Sequence, residues 1–180
     1  LENYFRKRNF VKKKNITAIV TTGPTREYID PVRYISNESS GKQGYEIALA
    51  LSKFGVKTTL ISGPSNLIDC NDLIQKKVTS ADEMFYEVKK SLPVDLAICA
   101  AAVSDFKPIR KYKSKLKKEK KIIKSIEIVK NSDIVEYLGK NNKHRPKLVV
   151  AFSAETENLN RNSVSKMKKK NCDLVVANDV

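Results

Sequence analysis

Ile16–Thr22 (ITAIVTT), followed at once by Gly23-Pro24, decides the fold. A run of β-branched and small apolar residues with no polar alternation reads as a strand buried on both faces, and the Gly-Pro pair turns it into a loop. The same grammar returns downstream. Lys57–Ser62 (KTTLIS) runs into Gly63-Pro64, and Val94–Ala100 (VDLAICA) runs into further small residues; Lys147–Ser153 (KLVVAFS) and Asp173–Ala177 (DLVVA) complete a set of five.

Helical patterns separate these strands. Gly44–Phe54 has apolar residues at helical spacing and stops at Gly55, which suits the residue after a helix C-cap. Ser80 and Glu83 form a capping box ahead of Met84, Phe85 and Val88. Asn131 or Ser132 is expected to cap a helix through Leu138 that ends at Gly139, and Glu157–Lys170 is a polar amphipathic candidate. Near-continuous apolar strands alternating with helices mean an α/β fold: a Rossmann-like parallel sheet flanked by helices on both faces. Lys107–Lys124 departs from this pattern. It is too charged for a core and reads as a basic flap, followed by Ser125–Val129 (SIEIV), which can pair as a strand.

The chain has 180 residues, enough for one domain with a substantial core, and 41% are hydrophobic. No stretch reaches the roughly 20 apolar residues that span a bilayer, and the lysine-rich start lacks the apolar centre of a signal peptide. A cytoplasmic protein without membrane contact is expected. Cys70, Cys99 and Cys172 are widely spaced, and His144 is the sole histidine, so paired-cysteine redox chemistry and multi-histidine metal sites are disfavoured. The formal charge of +15 invites a nucleic-acid-binding reading, but nine of the excess charges fall within Lys107–Lys124. Lysine also outnumbers arginine 28 to 7, whereas base-edge readout favours arginine.

In open parallel sheets ligands bind beyond the carboxyl ends of the strands. After the first strand come Thr22–Glu27 (TGPTRE) and Ile29–Asn37 (IDPVRYISN), long for a loop between strand and helix. Ser39, Ser40 and Gly41 then open the first helix with hydroxyls and free backbone N–H groups, which favour an anion such as phosphate. Lys42 is followed by Gln43, so this is not a Walker A loop. After the third strand, Ala100–Phe106 supplies small residues, Ala101 among them, that let a ligand approach the backbone, with Asp105 placed to hold a ribose or a metal-bound phosphate. Phe152 ends a strand, where it can stack on a base. Lys166 and Lys170, four apart, share one helix face and can reach one polyanion.

Together these runs resemble the phosphopantothenate–cysteine ligases, in particular the ligase domain of the bacterial bifunctional flavoproteins of coenzyme A synthesis. The runs that carry the resemblance are TGPTRE, IDPVRYISN, Ser39–Gly44 (SSGKQG), Ile61–Pro64 (ISGP), Ala101–Phe106 (AAVSDF), Lys115–Lys118 (KLKK), Val129–Val135 (VKNSDIV), Phe152–Thr156 (FSAET) and Ala177–Val180 (ANDV). Ser132 and Ser153 stand where proline and alanine are usual. The resemblance implies a carboxylate of 4′-phosphopantothenate attacking the α-phosphate of CTP in the presence of Mg2+, then cysteine displacing CMP. It implies Asn37 and Lys115 as catalytic residues. Cys99, Asp105, Lys115, Asp133, Ile134, Val135, Phe152, Lys166 and Lys170 would bind CTP, and Ser39, Ser40, Gly41 and Ala101 would bind substrate or phosphate, with no protein-held metal site. It further implies a homodimer. Residues 1–15 would be the linker from a preceding flavoprotein decarboxylase domain, and residues 16–180 a ligase domain cut short at its C-terminus, without an FMN site. ATP in place of CTP is the close variant; a basic nucleic-acid-binding module is the alternative of another class.

Overall fold

The structure, a computed structural model, describes residues 16–117, 125–141 and 143–179. The expected linker at 1–15, Lys118 with the rest of the flap to 124, and Val180 lie outside the described residues. Six strands form one parallel sheet: β1 (Thr17–Thr22), β4 (Lys57–Ser62), β5 (Ile74–Lys77), β6 (Leu96–Cys99), β9 (Leu148–Glu155) and β10 (Leu174–Asp179), in the order β10-β9-β6-β1-β4-β5. Counted along the chain as strands one to six of this sheet, that is the 3-2-1-4-5-6 order of the dinucleotide-binding folds, with the strand order reversing between β1 and β6.

Strand alternation builds two cores. Ile19, Ile61 and Ala97 point to a layer holding Met84, Val88, Ile134 and Leu138, while Val20 and Leu60 point the other way onto Ala48 and Leu73. The first layer carries α2 (Ala81–Ser91), α3 (Ile134–Lys140) and Met167 of α4 (Leu159–Lys170); the second carries α1 (Lys42–Lys53). Met84 and Leu138 are fully buried, so truncating either to alanine would cost about 2–5 kcal/mol. At the amino end of the sheet one carboxylate joins three strands: Asp95 accepts from the Thr17 N–H and hydroxyl and from Lys147 Nζ.

All five expected strands are present, and the sixth, β5, was missed because Ile74–Lys77 (IQKK) is a short, charged edge strand without an apolar run. The stretch expected to be a long loop after β1 is instead a hairpin of β2 (Arg26–Asp30) and β3 (Arg33–Ser36). Asp30-Pro31 makes its turn: Asp30 Oδ1 accepts the Val32 and Arg33 N–H groups at 2.9 and 3.0 Å, and the Tyr28 and Tyr34 rings meet edge-on across the strands at 5.4 Å. A second ribbon pairs β7 (Phe106–Pro108) with β8 (Ile128–Lys130), so the expected strand at Ser125–Val129 exists but begins later.

Three helix and strand ends differ from expectation. The cap of α3 is Asp133, whose carboxylate accepts from the Glu136 N–H, and not Asn131 or Ser132. Gly139 lies inside α3: a Cβ there would stand 2.1 Å from the Lys170 carbonyl oxygen, so the glycine serves the close packing of α3 on the end of α4. β9 runs on to Glu155, which places Phe152 within the strand and not at its end. Ser80 caps α2 by accepting the Glu83 N–H as expected, while the Glu83 carboxylate reaches one residue further back than a capping box requires and takes the Thr79 N–H; the left-handed Gly55 after α1 is as expected.

Candidate active site

Where the strand order reverses, the loops leaving β1 and β6 are joined over the sheet edge. Pro24 bridges to Ala102, and the Ala100, Ala101 and Ala102 N–H groups donate to Thr21 O, Thr21 Oγ1 and Gly23 O. These amides are engaged within the protein, so Ala101 offers a ligand its small side chain and not an N–H donor. The start of α1 sits close against β1. Thr22 Oγ1 donates to the Gly41 carbonyl at 2.5 Å, Gly41 adopts φ +73°, and a Cβ on Gly44 would lie 2.5 Å from Thr22 Oγ1. The Ser39 and Ser40 hydroxyls accept the Gly41 and Lys42 N–H groups, so both serines cap donors that an anion at this helix start would take over. Asn37 is exposed and crosses the crevice, donating from Nδ2 to the Val103 carbonyl at 3.0 Å.

On the other side of the crevice the ends of β6 and β9 meet α3 and α4. Lys170 Nζ lies 2.7 Å from Asp133 Oδ2, and Lys166 Nζ donates to the Phe152 carbonyl at 2.9 Å. Their spacing of one helical turn puts both lysines on the buried side of α4, while Lys168 and Lys169 face outward. Burial and the neighbouring Lys170 charge lower the Lys166 pKa, partly offset by the carboxylates of Glu155, Asp133 and Asp105. Burial opposes ionisation of Asp133, but the Lys170 ion pair and the Glu136 N–H outweigh it and hold the carboxyl below its usual range. The Cys99 thiol is buried in the core and pushed up to about 12, chiefly by burial and then by the Asp133 charge. It is inert as a nucleophile, and Cys99 can meet a ligand only through the backbone that follows it. Ile134 is likewise a core residue, with Val135 packed beside it.

The flap crosses above the hairpin. Tyr112 N–H donates to the Ile29 carbonyl, and Arg110 and Lys111 lie over the rings of Tyr112 and Tyr28 at 5.0 and 5.3 Å. Lys115 is exposed, one residue before Leu116, whose N–H donates to Asp30 Oδ2 at 3.2 Å. Asp105 is exposed at the foot of the β7–β8 ribbon, where its carbonyl accepts the Asn131 N–H.

The switch-point loops, a helix start and the two lysines of α4 thus all lie at the carboxyl side of the sheet, and comparison with known proteins identifies the family. Residues 13–180 match the family described as the DNA/pantothenate metabolism flavoprotein C-terminal domain. The chain belongs to that family. This flavoprotein C-terminal domain is 40% identical, over 100% of its length and 44% of the relative's, to the coenzyme A biosynthesis bifunctional protein CoaBC of Haemophilus influenzae. Its identity to the CoaBC protein of Borreliella burgdorferi is 39%, over 99% of the chain and 45% of that protein. The chain therefore spans less than half the length of these relatives. Among solved structures, the crystal structure of the C-terminal domain of a CoaBC protein superposes with a TM-score of 0.78 at 37% identity, covering 91% of this chain and 77% of that one.

Within the flavoprotein C-terminal domain, the expected residues fall into three groups by position in the fold. Asn37, Ser39, Ser40, Gly41 and Ala101 lie at the β1–β6 switch point, Cys99, Asp133, Ile134, Val135, Phe152, Lys166 and Lys170 beside it, and Asp105 and Lys115 on the ribbon and flap. Three further polar residues make tertiary bonds in these loops and were not expected from sequence to do so; Asn131 was expected only as a helix cap. Buried Thr25 accepts the Ser104 N–H through Oγ1, Asn131 donates from Nδ2 to the Ser104 carbonyl, and buried Asp30 pairs with Arg33. The available signal was the polar Asp30-Pro31 turn with an arginine three residues after the acid. Among the described residues no helix is long and apolar enough to cross a membrane.

Proposed function

We propose that this domain joins 4′-phosphopantothenate to L-cysteine, using CTP. The substrate carboxylate attacks the α-phosphate, pyrophosphate leaves, and the resulting acyl-cytidylate is opened by the cysteine amine, which forms the amide and releases CMP. A carboxylate is inert to amines at neutral pH until one oxygen becomes part of a good leaving group, so activation must come first. The observation that supports this reading is that the Asn37 amide, bonded to the loop after β6, and the two inward lysines of α4, bonded to β9 and to the start of α3, all belong to the segments at the carboxyl ends of the parallel strands.

Negative charge builds first on the α-phosphate and then on the acyl oxygen, so fixed cations and oriented donors are the catalytic means this site has. Lys166 and Lys170 would face the nucleotide, and Lys115 the transferring phosphate from the flap. Asp105 would hold the ribose, and Asn37 the acyl group. The serine-capped start of α1 suits a substrate phosphate. Mg2+ would arrive on the triphosphate oxygens; among the described residues no group of three or more His, Cys, Asp or Glu side chains gathers to hold one. Phe106, Ile109, Ile126, Ile128 and Val129 are exposed apolar side chains on and beside the β7–β8 ribbon, more than a small ribbon alone would leave in water, which supports homodimerisation. A decarboxylase domain in the same protein and a cytoplasmic setting belong to the same proposal; the relatives are named bifunctional, and this chain spans less than half of their length.

The test is a coupled assay with 4′-phosphopantothenate, cysteine, Mg2+ and either CTP or ATP, beside thermal shifts with each nucleotide and with a single-stranded oligonucleotide. Cysteine-dependent amide formation with CTP, and stabilisation by CTP above ATP, is the expected result. Stabilisation by the oligonucleotide alone would overturn the ligase reading in favour of polyanion binding.

A further inference from the structure

Asp30 is fully buried at the hairpin turn and receives five hydrogen bonds: from the Val32 and Arg33 N–H groups, from Arg33 Nε and Nη2 at 2.9 and 2.5 Å, and from the Leu116 N–H at 3.2 Å. Arg33 Nη2 also donates to the Leu116 carbonyl at 2.7 Å. Both backbone groups of Leu116 are therefore taken by one ion pair, 83 or more residues away in sequence. Two bonds of opposite polarity to one peptide residue fix its position and its rotation about the chain. They hold Lys115 and Lys117 on either side of it.

The half-exposed Arg33 guanidinium thus spends one edge on Asp30 and part of the other on the flap, a use for which its planar fork is suited. The hairpin that carries Asp30 and Arg33 continues through Ser36 into Asn37, so the same element sets the crevice amide and the flap. We propose that Asp30 and Arg33 are positioning residues for ligation, a two-point clamp on Leu116 that fixes the flap backbone beside Lys115. The clamp rests on the ligase reading for its consequence but not for its existence.

The test compares Arg33→Met, Lys115→Gln and the double variant in the full chain, with the ligation rate and amide hydrogen exchange at Leu116 as readouts. Asp30→Asn/Arg33→Met, which removes both charges and leaves no unpaired buried carboxylate, is a second form of the lesion should Arg33→Met fail to fold. The expected result is a kcat about tenfold lower for the clamp variant in the parent background, within the coupling range for one hydrogen-bonded network, and little further loss beside Lys115→Gln. Faster exchange at Leu116 accompanies it. Equal losses in both backgrounds, or unchanged exchange at Leu116, would overturn the clamp. Absence of ligation in the unsubstituted chain would defeat the proposed function, while the exchange result would still decide whether Leu116 is held.

Discussion

In α4 the lysines at 166 and 170 stand on a regular helix and reach a carbonyl and a carboxylate of the neighbouring layer, whereas in the flap Lys115 stands on irregular chain whose backbone is held from the hairpin. Both segments are rich in lysine, and charge content alone does not distinguish them. The helix places its cations by periodicity, at the cost of burying them halfway. The flap leaves its lysine exposed and places it by tertiary hydrogen bonds to Leu116. A helix-borne cation is therefore part of the folded core and a flap-borne one is not, and the two should fail differently when removed.

The largest expected effect is on the flap side and on rate. Lys115→Gln should lower kcat about 10²–10³-fold, the range for losing one preorganised donor at a developing charge, with no change in melting temperature because the side chain is exposed. Steady-state kinetics beside calorimetry checks it, and a fall in stability of similar size would erase the distinction between the two segments.

Next comes the helix side, where stability and nucleotide binding should fall together. Lys170→Met leaves Asp133 half-buried without its cation, and about 1–3 kcal/mol of stability should be lost. Adding Asp133→Asn should recover part of that loss, since the unpaired charge is the larger cost. Urea titration of the three variants measures the recovery; strict additivity would mean that the pair is not coupled.

What could be read beforehand follows the same division. The five apolar strands, the Ser80 cap and the Lys166–Lys170 spacing are properties of a few neighbouring residues, so periodicity revealed them. β5 was hidden because an edge strand of one apolar residue and three polar ones has no pattern of its own and is defined by pairing with β4. The hairpin was hidden because its turn needs no glycine: Asp30 accepts its own turn amides, and the Asp-Pro pair resembles any loop. Asp133 displaced the two residues before it as the α3 cap because it also answers Lys170, a partner 37 positions further on that no local reading includes. The clamp on Leu116 is of the same kind. The resemblance supplied the expected site residues, while the tertiary bonds explain which of them are held and by what.

A smaller effect belongs to the opposite end of the sheet, away from the crevice. The Lys147 ammonium and then the Thr17 N–H beside Asp95 lower its pKa to about 2. A carboxyl whose folded pKa is depressed contributes stability that is present above its unfolded pKa near 3.9 and is lost as pH falls through the folded value. The stability difference between the parent and Asp95→Asn should thus be constant from neutrality to about pH 5 and shrink as pH falls towards about 2. Denaturation at stepped pH reads this directly. Lys115→Gln, made on an exposed flap, should show no such dependence of stability.

The smallest effect is the control that gives the comparison its meaning. Lys77 pairs with Asp69 at 2.9 Å on the outer strand of the sheet, with both side chains largely exposed, at 70% and 64%. Its ion-pair distance is close to the 2.7 Å of Lys170 and Asp133, so geometry alone would predict similar worth. Burial predicts otherwise: an exposed pair gains little in high dielectric and is screened by salt, so Lys77→Ala should cost about 0.5 kcal/mol or less and lose even that at high ionic strength. If Lys77→Ala proved as damaging as Lys170→Met, half-burial would not be what makes the α4 lysine structural. The contrast between helix and flap would then have to rest on the Leu116 hydrogen bonds alone.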